Sequence, residues 1–421
     1  MSATGRRIAV IGSGVAGLTA AHLLQRSAAV TLFESDDRIG GHAHTHDVRD
    51  GTRSLAVDTG FIVHNRRTYP LLCRLFDELG VQTRPTEMSM SVRCLGCGLE
   101  YCGARGARGL FARPANAVDP RFWSLLAQVP RFHARARRLL ADPGAGEPTL
   151  GQFLARGRFG HHFTAHFVVP LVSAVWSCGP HRVHEYPARY LFAFLENHGL
   201  LSVTGSPAWR TVVGGSRTYV ERIAKRLTAV RTETPVAAVT RHADGAEVAL
   251  ASGASEDFDA VVVATHPDQA LRLLADPTRE EAAVLGAFEY SRNRAVLHSD
   301  PAPLPTRRGA RGSWNYLLPG CRPGAGAVEV SYDMRRLQRL DAGRELVVTL
   351  GGADRIDSGR VIASMVYEHP VHTRRSLDAQ RRLPALNTSV TAFAGAWHGW
   401  GFHEDGCRSG AAAAASLGES W

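Results

Sequence analysis

An α/β fold, in which a parallel-sheet dinucleotide unit is interleaved with an α+β unit, is predicted by three features of the 421-residue sequence. The first is a strand, glycine turn, helix and strand in succession within residues 6–34, ending on an acidic residue. The second is the return of the same α/β texture in 205–290 and 385–421, after a stretch rich in aromatics, His and Arg. The third is a composition of 44% hydrophobic and 21% charged residues, which excludes a disordered, collagenous or coiled-coil chain. The dinucleotide unit is expected to take residues 1–65, 205–290 and 385–421, and the second unit 66–204 and 291–384.

The elements follow in order. Arg7–Ile11 is a short apolar run suited to a buried parallel strand, and Val30–Phe33 is another. Between them lie Gly12-Ser13-Gly14-Val15-Ala16-Gly17 and the helix-forming Leu18–Leu24. These glycines permit a tight turn and a close approach of backbone to a pyrophosphate, which unpaired N–H groups at the helix start can bind. Glu34, at the end of the second strand, can accept both hydroxyls of a ribose. Beyond it come Gly40-Gly41-His42 and the strand Val57–Val63. Phe122, Leu125, Leu126, Val129, Phe132, Leu139 and Leu140 then recur at helical spacing, with Pro130 as an expected kink or break. Arg131, Arg135 and Arg138 share one face of that segment, read first as a solvated surface and second as a contact for anionic lipid or an acidic carrier. Gly214-Gly215 leads into a helix over 217–227, and strands are expected at 229–240, 246–250 and 258–265, with a helix at 267–275. Residues 291–370 alternate strands and turns, 391–396 is a strand, and an alanine-rich helix spans 407–416.

Charge and cysteine content narrow the chemistry. The net charge is +10, yet Lys225 is the only lysine in the chain. Dispersed arginines without a recognition motif argue against a nucleic-acid partner. Arg6-Arg7 before an apolar stretch imitates an export signal, but three glycines interrupt that stretch, and a cytoplasmic location is expected. Cys94, Cys97 and Cys102 form a C-x2-C-x4-C pattern with no fourth ligand nearby in sequence, so it reads as a hairpin turn and no metal is expected. His42-x-His44-x-His46 likewise lacks a carboxylate or thiolate partner.

Taken in order, these motifs resemble the flavin amine oxidase, phytoene desaturase and protoporphyrinogen oxidase superfamily, over almost the whole chain. Asp58–Val63, Trp314-Asn315-Tyr316 and Gly401–Gly406 are similar, more closely, to a bacterial group of NAD/FAD-binding oxidoreductases encoded beside cyclopropane-fatty-acid-synthase-like methyltransferases. The resemblance implies a Rossmann-like FAD domain of the glutathione-reductase-like family and noncovalent FAD, Cys407 notwithstanding. It places Gly12, Ser13, Gly14, Val15, Ala16 and Gly17 at the pyrophosphate, and Glu34 with Ser35 at the adenosine ribose. Gly40, Gly41 and His42 would lie at the phosphates and ribityl chain, Val236 at the adenine, and Gly395 near the ribityl-pyrophosphate. Thr59, Gly60, Phe61, Ala264 and Thr265 complete the expected cofactor set, with Glu404, Asp405 and Gly406 aiming the last helix at the flavin. A glycine at 406 is expected so that the ring can reach the helix N–H groups. Two departures stand out: His42 replaces a phosphate-binding arginine, weakening that contact or making it pH-dependent, and Lys225 falls in the wrong segment to serve as the family's flavin-side lysine.

Amine oxidation therefore yields to dehydrogenation or desaturation of a hydrophobic, fatty-acyl or lipid-like substrate, with a redox-neutral double-bond isomerase as the alternative and amine oxidation third. Candidate catalytic residues are His403, Glu404 and His64. Trp176, Trp314, Tyr316, Trp397, Trp400 and Phe402 are candidates for an apolar substrate pocket. Contact with a membrane surface or an acyl carrier is the expected partnership.

Overall fold

The computed structural model describes residues 5–202, 205–322, 324 and 328–421; the expected junction at 204/205 borders residues 203–204, which lie outside that set. Its organising element is a five-stranded parallel sheet in the order Ala229–Arg231, β2 (Ala29–Phe33), β1 (Arg7–Ile11), Ala260–Val263 and Thr391–Phe393. Both faces are covered. Ile8 and Val10 pack in one apolar cluster with Leu18 and Leu72, while Ala9 and Ile11 pack in another with Phe258 and Phe393. Such double burial is why the strands read as continuous apolar runs.

Helix α1 (Val15–Leu24) lies against the C-terminal helix His403–Ser416. The crossing is close enough to require glycine twice. A Cβ at Gly406 would lie 2.6 Å from Val15 Cγ1, and one at Gly410 would lie 2.2 Å from Ala16 O. The glycine at 406 thus serves helix packing, which replaces the expected reason for it. The last helix begins at His403, ahead of the expected 407, because the Asp405 carboxylate accepts the Phe402 N–H at 3.0 Å and caps it.

The second layer is a seven-stranded sheet in the order Val361–Val371, Glu289–His298, Val347–Leu350, Val330–Asp333, Trp314–Leu318, Met90–Cys94 and Glu100–Cys102. Beside it stands a helical unit that includes Pro120–Ala141, Leu150–Arg156, Val169–Trp176 and Ala188–Asn197. The long helix runs unbroken through Pro130, contrary to the expected kink or break. Buried Phe122 and Leu125 before the proline and Phe132, Ala136 and Leu139 after it anchor both halves to the core. The expected strand 229–240 divides into Ala229–Arg231 and Val236–Arg241.

Two features tie the layers together. A small antiparallel sheet pairs Trp209–Val212 with Val63–Asn65 on one side and Thr83–Pro85 on the other, so it crosses the expected unit boundary. Buried Asp58 accepts hydrogen bonds from Thr45 Oγ1 (2.6 Å), Ser216 N (2.9 Å), Ser216 Oγ (2.8 Å) and Gln338 Nε2 (2.8 Å). Among the described residues no helix is long and apolar enough to cross a membrane.

Candidate active site

A cavity of about 1260 Å³ opens at the carboxyl ends of the parallel strands and continues into the helical unit. That exceeds the roughly 300–1,000 Å³ typical of a single small-ligand pocket, leaving room for a dinucleotide and a second molecule. At the sheet end, Gly12, Ser13, Gly14, Val15 and Ala16 form the wall. Gly12 has φ +99°, and a Cβ there would lie 2.7 Å from Ala264 O. At Gly14 a Cβ would meet nothing within 4 Å, because the space beside it is the cavity. Helix α1 starts there with no side-chain cap and no acidic residue in its first turn, so its N–H groups are available to an anion. Gly17 is not on the wall; a Cβ at this position would lie 2.0 Å from Gly12 O, so it permits the turn and helix to pack together.

Glu34 and Ser35 follow β2 onto the wall. Glu34 Oε2 accepts from Ser13 N at 3.0 Å and from Ser13 Oγ, and Oε1 accepts from Asp36 N at 3.1 Å, which fixes the carboxylate at the rim. Thr234, Pro235, Val236, Ala264 and Thr265 also line the cavity, with Thr234 N donating to Glu34 O at 2.9 Å. Gly41 lines the wall, whereas Gly40 lies behind it with φ +114° and donates its N–H to Ser13 O at 3.1 Å. Arg38, which the sequence reading missed, reaches the wall and donates from Nη1 to Gly41 O at 2.9 Å. The signal was a basic residue in the glycine loop after β2. His42 also lines the cavity, but burial and the neighbouring His369 and His266 hold it well below its ordinary pKa. It is neutral at physiological pH, which leaves Arg38 as the cation of this loop.

Farther in, Thr59, Gly60 and Phe61 are on the wall, as is Gly395, where a Cβ would lie 1.9 Å from Trp397 Nε1. The three catalytic candidates separate. His403 lines the cavity, stacked on Phe61 with ring centroids 3.7 Å apart, and its Nε2 shares a hydrogen bond of 3.3 Å with Tyr219 Oη. Burial pushes it down to about 3. Glu404 is turned away. Its carboxylate accepts the N–H groups of Leu71 (3.1 Å) and Leu72 (3.0 Å), capping the helix α2 (Pro70–Leu79). His64 is buried behind Phe61, off the cavity wall, and burial with Arg210 and Arg66 nearby lowers it to about 4. Asp405 and Gly406 are also off the wall; Gly401, Phe402 and His403 are the residues that bring the last helix to the cavity. Cys407 Sγ packs against Thr19 Oγ1 at 3.6 Å, away from the cavity.

The inner end is apolar. Trp176, Trp314, Trp400 and Phe402 line it as expected for a pocket, with Trp176 Nε1 donating to Trp400 O at 3.1 Å, whereas Trp397 reaches the wall from the sheet-side core beside Phe393, 1% exposed and donating from Nε1 to Thr265 O at 3.1 Å. Tyr316 does not; it is 2% exposed in the core with Phe122 and Ala174. Leu125, Leu126, Val129, Phe167, Leu171 and Val175, which the sequence reading did not assign to the pocket, supply the rest. Between Leu110 and Leu200 no Asp, Glu, Lys or Arg lines the cavity, and burial pushes His133 and His198 down to about 4, leaving them neutral. Lys225 is exposed after the helix Arg217–Ala224 and off the wall.

Comparison with known proteins identifies the family and the fold. Residues 15–417 match the family described as flavin containing amine oxidoreductase. Coproporphyrinogen III oxidase of Mycobacterium leprae (strain TN) is 25% identical over 313 residues, spanning 71% of this chain and 68% of that one. In structure, cyclohexylamine oxidase from Brevibacterium oxydans IH-35A matches with a TM-score of 0.68 at 16% identity, over 98% of both chains. A CLA-producing fatty acid isomerase from P. acnes matches with a TM-score of 0.66 at 16% identity, over 97% of this chain and 98% of that one.

Proposed function

The chain belongs to the flavin-containing amine oxidoreductase family and is an FAD-dependent oxidoreductase, and from that premise we propose that it dehydrogenates a long, hydrophobic, fatty-acyl or lipid-like substrate. The observation that carries the reading is the inner end of the cavity, whose helical wall is mostly apolar, its His133 and His198 neutral, with no carboxylate there to receive an alkylammonium and no lysine among the described lining residues. The residues present fit FAD: an uncapped α1 for the pyrophosphate, Glu34 for the ribose, Arg38 for phosphate charge, and open space at Gly14. The cofactor supplies a two-electron acceptor.

The rest falls to the protein. The Gly12–Ala16 turn and Arg38 bind the anionic middle of the dinucleotide, and Gly401, Phe402 and His403 bring the Asp405-capped start of the last helix to the cavity wall. The neutral His403, engaged by Tyr219 and clamped on Phe61, orients rather than carries charge. Phe167, Leu171, Val175 and Trp176 exclude water from the substrate end. Delivery from a membrane surface is supported by Val118 and Trp123, 82% and 51% exposed, beside the start of the helix whose Leu125, Leu126 and Val129 line the cavity.

The test is anaerobic titration of the flavoprotein with long-chain acyl lipids. Bleaching of the flavin, with a product lighter by two hydrogens, is expected. Turnover with an unchanged product mass would make the enzyme an isomerase, and bleaching by amines while lipids stay silent would overturn the proposal.

A further inference from the structure

Four side chains that the cavity does not use converge from distant parts of the sequence. Cys94 ends the strand Met90–Cys94, and Cys97 lies in the turn to Glu100–Cys102. His166 sits in a π-helical turn, Thr164–Val168, and Cys321 follows the strand Trp314–Leu318. The three Sγ atoms and the imidazole nitrogen all lie within 4.8 Å of one another. Cys94 Sγ is 3.8 Å from Cys321 Sγ, and Cys97 Sγ is 3.6 Å from His166 Nε2. A tetrahedral zinc ion, with Zn–S of about 2.3 Å and Zn–N of about 2.05 Å, sets S···S near ~3.8 Å and S···N near ~3.5 Å. A disulfide would need about 2.05 Å between sulfurs, and all seven cysteines are free.

We propose that Cys94, Cys97, Cys321 and His166 bind one zinc ion as a closed, structural Cys3His site. The C-x2-C-x4-C pattern alone offers no fourth ligand; its third cysteine, Cys102, is not a member, and the ligands that complete the set lie 69 positions from Cys97 and 227 from Cys94. With all four positions filled by protein, no coordination site is left for catalysis.

The surroundings match a metal site. His166 Nδ1 donates to His162 O at 3.0 Å, which fixes the tautomer and leaves the Nε2 lone pair facing the sulfurs. The Cys94–Gly98 turn is tight, with Gly98 at φ +70° and its N–H donating to Cys94 O at 2.9 Å. In that turn the N–H groups of Gly96 and Cys97 face the Cys94 sulfur, and that of Leu99 faces the Cys97 sulfur, as donors that metal-bound sulfur can accept. Gly96 is also needed for approach, since a Cβ there would lie 3.2 Å from Cys321 Sγ and 3.0 Å from its N. Three thiolates on a dication leave one negative charge, and the Arg113 guanidinium lies on this turn, donating to Cys97 O at 3.0 Å.

Loading forms three Zn–S bonds and one Zn–N bond and releases the thiol protons to solvent. It fastens the sheet hairpin and the segment after Trp314–Leu318 to the helical unit, one residue from the cavity-lining Phe167. The site stands independently of the proposed reaction.

The test is metal analysis by mass spectrometry on protein purified without a metal-affinity tag, with flavin content recorded separately. One zinc per chain is expected, lost in Cys321→Ser and His166→Ala and retained in Cys73→Ser. Should those two variants fail to fold, wild-type protein stripped with a chelator and titrated with cobalt is expected to show thiolate charge-transfer and tetrahedral d–d bands, with a thermal midpoint that rises on loading. Metal-free wild-type protein that gives no cobalt charge-transfer band, or a Cys94–Cys321 disulfide found by mass, would overturn the proposal whatever the flavin content.

Discussion

Glu404, on the first turn of the last helix, accepts the backbone N–H of Leu72 at 3.0 Å across 332 positions of sequence, and that of Leu71 beside it. One carboxylate thereby closes the start of helix α2. Glu404→Gln keeps the size but points an amide NH2 at an N–H donor. A loss of about 1–3 kcal/mol in denaturant unfolding is expected, with the reduction rate of the remaining folded flavoprotein little changed. A collapse of turnover at unchanged stability would return Glu404 to catalysis.

Gly14→Ala separates the cofactor from the fold. Its backbone is extended, at φ −64° and ψ 173°, and the added methyl enters only the cavity. FAD affinity is expected to fall at least about tenfold, or ~1.4 kcal/mol, while apoprotein melting stays constant. Gly12→Ala, at φ +99° against Ala264 O, should instead destabilise the apoprotein itself.

Arg38 is the cation of the glycine loop, since His42 stays neutral. Arg38→Gln removes a charge-assisted contact worth about 1.5–3 kcal/mol, so fluorescence titration should show FAD binding weakened by about ten- to a hundredfold, and the salt dependence of binding should shrink. His42→Gln should change neither strongly.

Acid should unfold the protein through its histidines. Burial pushes His64, His133, His198, His298, His369 and His372 down to about 4. In the unfolded chain these groups titrate near ~6.5. As pH falls from ~6.5 toward 4 the unfolded state therefore takes up protons that the folded state refuses. Each such proton removes up to about 1.4 kcal/mol per pH unit. The thermal midpoint is expected to be flat above pH ~7 and to drop steeply below ~6, with calorimetry in buffers of different ionisation heat reporting net proton uptake on unfolding.

The sequence was most legible where one stretch of chain contains the whole argument. β1, the glycine turn, α1 and β2 are contiguous, so apolar runs, glycines and Glu34 are read together, and the structure sets them along one cavity wall. Residues whose meaning depends on a distant neighbour were not legible. Glu404 follows an aromatic loop like a catalytic acid, and only the fold of α2 shows what it binds. Gly406 has a glycine's reason, but the obstacle is Val15, on another helix. Tyr316 and Trp314 share a strand face, and packing beneath Ala174 places one in the core while the other meets the cavity. Pro130 shows the opposite error, a strong local rule outweighed by burial on both sides of it.

Asp58 has a mechanical consequence. Its one carboxylate is bonded to Thr45, to Ser216 and to Gln338, residues of three separate stretches of chain. Swinging the sheet layers apart would strand that carboxylate in the interior, where an unpaired charge costs about 3–5 kcal/mol. Asp58 thus fastens the layers at this seam, and a rigid-body swing about it is disfavoured. Small-angle scattering profiles of the free and substrate-saturated enzyme are accordingly expected to superimpose.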